Sequence, residues 1–396
     1  MAGDLLLRNV RPLGGEPIDV LLREGRIAPA GAPGGAAEPV ECSGAILAPG
    51  LVEAHTHLDK TLVGMPWYRN EVGPLLVDKI DNERRQRRLL GIDPERQSAR
   101  LALQALALGS THIRSHVDVD TELGLAAIEG VMATRERLAG VVDIEIVAFP
   151  QSGLLVRPGT LELLEEAMRM GSQVVGGLDP CGIDRDPKGH LDAVFGLAQR
   201  FGRPVDIHLH EPGELGAFSL ELIVERTLAL GMQGKVAVSH AFCLGMADLE
   251  RVAGLVELVA EAEIAIVTTA PPSRPVPAVR QLARAGIVMA AGSDGVRDTW
   301  GPYGNGDMLE RAMLLGLRNN LRRDDELELA LEVCTAGGAR VMALEDYGLE
   351  PGCRADLVLL EGETVAEAVV SRAPRRLVIK GGKIVARDGR ALVEAP

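Results

Sequence analysis

Gly50-Leu51-Val52-Glu53-Ala54-His55-Thr56-His57-Leu58-Asp59-Lys60-Thr61 is the stretch on which the reading of this chain turns. An apolar run from Ala45 to Val52, broken by Pro49, leads straight into two histidines one residue apart. Successive side chains on a strand point to opposite faces, so His55 and His57 share a face at the strand's end. Two imidazoles on one face can grip one metal ion. A lone His-x-His is more often a structural pair near a turn. Recurrence shifts the balance, because His208 and His240 also end apolar runs, and the chain has only eight histidines.

Seven further β-like runs follow the one over 45–57: residues 112–119, 143–149, 174–179, 204–210, 235–242, 263–269 and 287–294. Ala/Leu-rich or amphipathic stretches, such as 94–108, 161–170, 220–230 and 249–262, lie between them. Strand–helix alternation predicts a parallel sheet, and eight units predict an α/β fold of the (β/α)8 TIM type. The runs are near-continuously apolar, as strands buried on both faces require. Short runs near both ends (5–10, 18–22 and 26–27; 355–360 and 376–385) alternate with Gly, Pro and charged turns. They predict a small β-sandwich domain built from both termini, residues 1–48 and 352–396, with the barrel inserted over 49–351.

The 396 residues carry a formal charge of −14, which argues against nucleic acid and anionic membrane as partners. Five scattered cysteines without a CxxC read as reduced thiols of a cytoplasmic protein. Met1-Ala2-Gly3-Asp4 has no basic stretch leading into an apolar one, so no secretory signal is expected. No apolar run reaches membrane-spanning length.

The unusual polar residues gather at the C-terminal ends of the runs: His116 and Asp118, Gln151, Asp179, His208, His210 and Glu211, His240, Asp294. A barrel of this type builds its active site there. His55, His57 and His208 offer three neutral nitrogens, and Asp294 offers a carboxylate that can touch both a metal and its water. A metal so held makes hydroxide available near neutral pH. Glu211 is the candidate acid/base, and His240 can hydrogen-bond the water or the developing tetrahedral centre. Alternatives stay open: His210 could replace His208 as ligand or serve a second metal, and His116 could orient a ligand. His112 reads as a packing residue and His190 as a surface or loop residue. Asp59 and Lys60 are either a solvated pair or a substrate contact. Trp300 and Tyr303 sit in a loop too polar for core and read as a pocket wall.

Pro49 to Asp59, Arg114-Ser115-His116-Val117-Asp118-Val119, Ala148-Phe149-Pro150-Gln151-Ser152-Gly153, His208 with Glu211, Ser239-His240, and Ser293-Asp294 followed by Asp298 and Trp300 together resemble the amidohydrolase superfamily, in its cytosine-deaminase-like branch. The resemblance runs over nearly the whole chain. It implies one divalent metal, Zn(II) or Fe(II), on His55, His57, His208 and Asp294. It puts the proton shuttle on Glu211, with His240 beside the hydroxide. It places Gln151, Trp300, Lys60 and Asp179 around a small heterocyclic substrate and implies a homo-oligomer. The reaction implied is hydrolytic removal of an exocyclic amino group from a cytosine-like ring. Two positions depart from that branch, Gly295 where it has an acid and Lys60 where it has threonine; Lys60, with 176–180, 213–218, 239–243 and 304–308, is similar instead to the branch that removes isopropylamine from N-isopropylammelide, an s-triazine. Cyclic-amide hydrolysis on a lysine-bridged metal pair is disfavoured, because 174–180 has no lysine. A non-catalytic metal binder would have no use for Glu211.

Overall fold

The computed structural model describes residues 3–394. Eight parallel strands follow one another in chain order: Leu51–Thr56, Ser110–Asp118, Asp143–Phe149, Val174–Leu178, Val205–His208, Val236–Ser239, Ala265–Thr268 and Met289–Ala291. A parallel bridge between Thr56 and Asp294 joins the exit of the eighth strand to the first and closes the ring. The fold is the (β/α)8 barrel expected from the alternation, and each strand carries apolar residues on both faces because helices cover the outside. The helices start where the sequence provides acceptors for their free N–H groups. Asp93 caps the helix Pro94–Ala107, Asp186 caps Pro187–Phe201 and Asp248 caps Leu249–Glu261. No helix is long and apolar enough to cross a membrane.

Nine strands from both ends of the chain form the small domain. Their path pairs Ile46–Pro49, from the first part, antiparallel with Leu357–Leu360, from the last. Leu7, Val10, Leu22, Leu47, Leu357 and Ile379 make its own apolar core. The run over 45–57 is therefore two strands in two sheets, and Gly50 is the joint. A Cβ there would lie 2.2 Å from Thr111 Oγ1, so only glycine lets the chain cross from one sheet to the other at this point.

Below the barrel, the small domain is pinned by Lys380. Its ammonium donates to Asp143 (2.7 Å) and Asp356 (2.8 Å) and lies 3.1 Å from His112 Nε2. Above the barrel, the connection from the first to the second strand contains the helix Leu76–Leu89. It has no apolar stripe, and beside Ile80 its buried residues are Asn82, Glu83 and Arg87. Charge holds it down. Arg87 pairs with Asp118 (2.6 Å) and Asp59 (2.9 Å), Arg84 with Asp120 (3.0 Å), and Glu83 with Lys60 (3.2 Å).

Candidate metal centre and active site

Strand geometry puts the candidate residues on one rim. His55 lies in the first strand and His57 just beyond it, His208 ends the fifth, His240 follows the sixth, and Asp294 follows the eighth. Four strands exit through a left-handed residue: Asp179 (φ 35°), His240 (φ 70°), Ala270 (φ 46°) and Asp294 (φ 62°). Each such turn costs non-glycine residues of order 1 kcal/mol and redirects the next side chain. Gly292 completes the rim, because a Cβ there would lie 2.3 Å from the His55 carbonyl oxygen.

The imidazoles form one cluster. Ring centroids of His55 lie 4.6 Å from His208, 4.9 Å from His240 and 5.7 Å from His57. Their tautomers follow from their partners. His57 Nδ1 can only donate to the His116 carbonyl oxygen at 2.9 Å, which leaves Nε2 without a proton. The Ser239 hydroxyl donates to Asp206 at 2.7 Å, so it accepts from His55 Nδ1 at 2.9 Å, and His55 Nε2 is bare as well. Arg114 fixes Asp206 at 3.0 Å from the other side. Both bare nitrogens face Asp294 Oδ1, at 3.7 Å from His55 and 3.3 Å from His57. In their neutral form the two rings turn lone pairs toward this carboxylate oxygen, an arrangement that a shared cation would satisfy. The buried His55 Nε2, both nitrogens of His208, and His240 Nε2 have no hydrogen-bond partner among the described residues. Burial and the neighbouring imidazoles hold His208 and His240 well below the usual histidine range, so their lone pairs stay available. This donor set fits a divalent cation bound by nitrogen and one carboxylate.

The remaining candidates divide. Asp179 gives both oxygens to His210, one to its N–H (2.6 Å) and one to Nδ1 (2.8 Å), so it supports His210 and keeps one acceptor position on each oxygen. The His210 ring stacks on His240 at 4.3 Å. Glu211 Oε1 accepts from Cys181 N (2.8 Å) and Gly182 N (2.6 Å), and Oε2 accepts from Ser219. Three of its four acceptor positions are filled and one on Oε2 is open. Burial raises Glu211 above the ordinary glutamate value.

Lys60 is buried, not solvated. Its three donors meet Gln151 Oε1 (2.5 Å), Asp118 Oδ1 (3.1 Å) and Glu83 Oε1 (3.2 Å), and none is left for a substrate. Glu83 also accepts from the Trp300 indole N–H. Burial pushes Glu83 well up. Burial would raise Asp118 too, but Lys60 and Arg87 outweigh it and hold that carboxyl well below its usual range. The Lys60 and Lys79 ammoniums lie 5.9 and 5.8 Å from the Trp300 ring centre. Tyr303 instead is 84% exposed and lines nothing. His190 is fully buried, contrary to the surface position expected. Its Nδ1 donates to Asp184 (2.7 Å) and its Nε2 accepts from Leu178 N (3.3 Å), anchoring the exit of the fourth strand. Glu83, Arg87 and Asp206 are the residues sequence reasoning missed. The signal available for the first two was a helix-length polar segment with no apolar face.

Known proteins of this architecture carry the same scaffold. The amidohydrolase family model matches residues 38–386, and the chain belongs to that family. It is a hydrolase of carbon–nitrogen bonds. The N-isopropylammelide isopropylaminohydrolase of Burkholderia multivorans is 53% identical, superposes with a TM-score of 0.95, and is covered over its full length by 99% of this chain. The N-isopropylammelide isopropyl amidohydrolase of Pseudomonas sp. (strain ADP) is 32% identical over 358 residues, 89% of this chain and 88% of that protein. The 5-methylcytosine deaminase of Klebsiella pneumoniae, solved with 5-fluorocytosine, is 29% identical with a TM-score of 0.85 and 98% coverage of both chains.

Proposed function

We propose that this enzyme displaces an amine, alkylated or free, from a carbon of an oxo-substituted s-triazine ring. The observation that carries the reaction type is the set of bare, buried imidazole nitrogens facing Asp294. The s-triazine assignment is supported by the 53% identity to an isopropylaminohydrolase over the whole chain. A Zn(II) or Fe(II) ion on His55, His57, His208 and Asp294 would supply the Lewis acidity that makes a hydroxide nucleophile available near neutral pH. Glu211 delivers a proton from Oε2 to the ring nitrogen as the attacked carbon becomes tetrahedral. Cys181, Gly182 and Ser219 hold that carboxyl in one orientation throughout. His240 hydrogen-bonds the attacking oxygen through Nε2, and Asp294 receives its proton. The leaving amine takes up the proton that Asp294 received as the C–N bond breaks.

A second reading, deamination of a cytosine-like pyrimidine, is supported by Gln151 and by the likeness to 5-methylcytosine deaminase. Amine and ammonia release from metal-loaded protein separates the two. The panel holds N-isopropylammelide, ammelide, ammeline, cytosine and 5-methylcytosine. Isopropylamine from N-isopropylammelide is the expected result. Ammonia from a pyrimidine with no release from any triazine would replace the first reading by the second.

A further inference from the structure

Building on the metal reading above, we infer that Glu53 is a positioning residue for that centre: one of its carboxylate oxygens ties the first barrel strand to the eighth and sets His55 against Asp294. Glu53 is a buried acid in an apolar strand, and it has no part in the proposed proton transfers. Val52 and Ala54 pack with Ala237, Val267 and Ala290, from the sixth, seventh and eighth strands. Their chain neighbours Leu51, Val238, Ile266 and Ala291 pack with the helices instead. The first group therefore lies inside the barrel, and alternation turns Glu53 outward. Unbroken alternation would turn His55 outward as well. The register slips instead: Glu53 pairs with Ile113 and Thr56 with Ser115, three steps against two. This bulge brings His55 inward to the other imidazoles.

A bulge interrupts the ladder, and here Glu53 makes good the gap. Its Oε1 accepts from His55 N at 3.3 Å and from Ser293 N at 2.9 Å. One atom thus holds the N–H of a candidate ligand and the N–H of the residue before another. Asp294 N donates to the His55 carbonyl oxygen (2.9 Å), and the Thr56 hydroxyl donates to the Asp294 carbonyl oxygen (2.9 Å). From the helix Met308–Arg318, Arg311 donates to the carbonyl oxygens of Ser293 (3.1 Å) and Thr269 (2.6 Å). The place matters. Every other neighbouring pair of barrel strands is joined by a ladder, whereas the first and eighth meet, among the described residues, at one bridge, Thr56 with Asp294. His55, His57 and Asp294 all stand at this seam. Glu53 supplies the cross-link that the missing ladder would have given, and so fixes the separation of the donors from behind.

The test titrates Co(II)-loaded protein with a chelator and follows the visible absorption of the bound metal. Glu53→Leu removes the acceptor at similar size, and should weaken Co(II) binding about 10–100-fold and alter the visible band. Glu53→Gln keeps an oxygen at the same reach. Its amide nitrogen displaces no bond, because Glu53 Oε2 has no partner among the described residues, and binding should stay within about threefold of wild type. Glu53→Asp keeps the charge, draws the oxygens back by one carbon, and should weaken binding as Glu53→Leu does. It decides the matter if Glu53→Leu does not fold. A Glu53 that only stabilised the barrel would lower the denaturant midpoint and leave Co(II) affinity and band as in wild type, which overturns the inference. Equal weakening in Glu53→Gln also overturns it, since charge would then be the cause. A wild type that binds no Co(II) overturns it together with the metal reading. The amine-release panel is run alongside: silence there, with the affinity order of the variants as expected, would overturn the ring-amine reaction and uphold the cross-link.

Discussion

At the lower end of the barrel His112, Asp143 and Asp356 bring ligand-type atoms within 4.8 Å of one another, and at the upper end His55, His57 and Asp294 do the same. Composition alone would make both groups metal sites. They differ in what is left over. Below, the Lys380 ammonium stands where a cation would stand and takes all three residues as partners. Above, His55 Nε2 and both nitrogens of His208 are buried without a hydrogen-bond partner among the described residues, and no lysine or arginine stands among them as Lys380 does below. The lesson is that a polar cluster announces chemistry by its unmet valences, and a cluster whose donors and acceptors balance is structure.

Breaking the upper group should have the largest effect. His208→Ala is expected to bring metal content, measured by plasma emission after desalting, from about one ion per chain to below about a tenth, with activity lost in step. Retention of a full ion would transfer the ligand role to His210. Glu211→Gln should keep the metal and lower kcat/KM by about 10²–10⁴. A wild-type rate with full metal would remove Glu211 from the proton path. Lys380→Met takes the buried ammonium from Asp356 and Asp143, leaves Arg354 as their remaining cationic partner, and should cost about 1–3 kcal/mol in denaturant unfolding. The metal content and KM of the folded fraction should stay as in wild type, and a parallel loss of metal would erase the distinction between the two ends.

The smallest effect is on pH. Burial lowers His112 below its ordinary value, so the folded state resists protonation there. Stability from this group is present above about pH 6.5 and declines as pH falls through that unfolded value. Asp143 is held low by His112 and Lys380 against its own burial, so its contribution is lost only in stronger acid. Unfolding curves at pH 7 and pH 5 for wild type and His112→Asn check this. An equal acid loss in the variant would assign the effect elsewhere.

The barrel could be read from the sequence because parallel strands buried on both faces leave unbroken apolar runs, and because their polar exits fall at a regular place. The histidines and Asp294 were visible for that reason. The helix Leu76–Leu89 was not, since it is fastened by Glu83, Arg84 and Arg87 and carries no 3.6-residue apolar period. Lys60 could be suspected of touching substrate, yet its saturation by Gln151, Asp118 and Glu83 depends on residues far away in sequence. His190 looked exposed because a helix beginning is commonly exposed, and nothing local encodes its partner Leu178 N across the strand end. The run over 45–57 hid a change of sheet, because Gly50 interrupts neither its hydrophobicity nor its length.

The antiparallel pairing of Ile46–Pro49 with Leu357–Leu360 also bears on how the protein is made. During synthesis the leading strands emerge first and their partners almost last, a delay on the order of tens of seconds at ordinary translation rates. Through that interval Leu47 and its neighbours have apolar faces and strand edges without a mate. Nascent chains should be captured by holdase chaperones over just this window, and truncation before residue 357 should leave a strong client rather than a free-standing barrel.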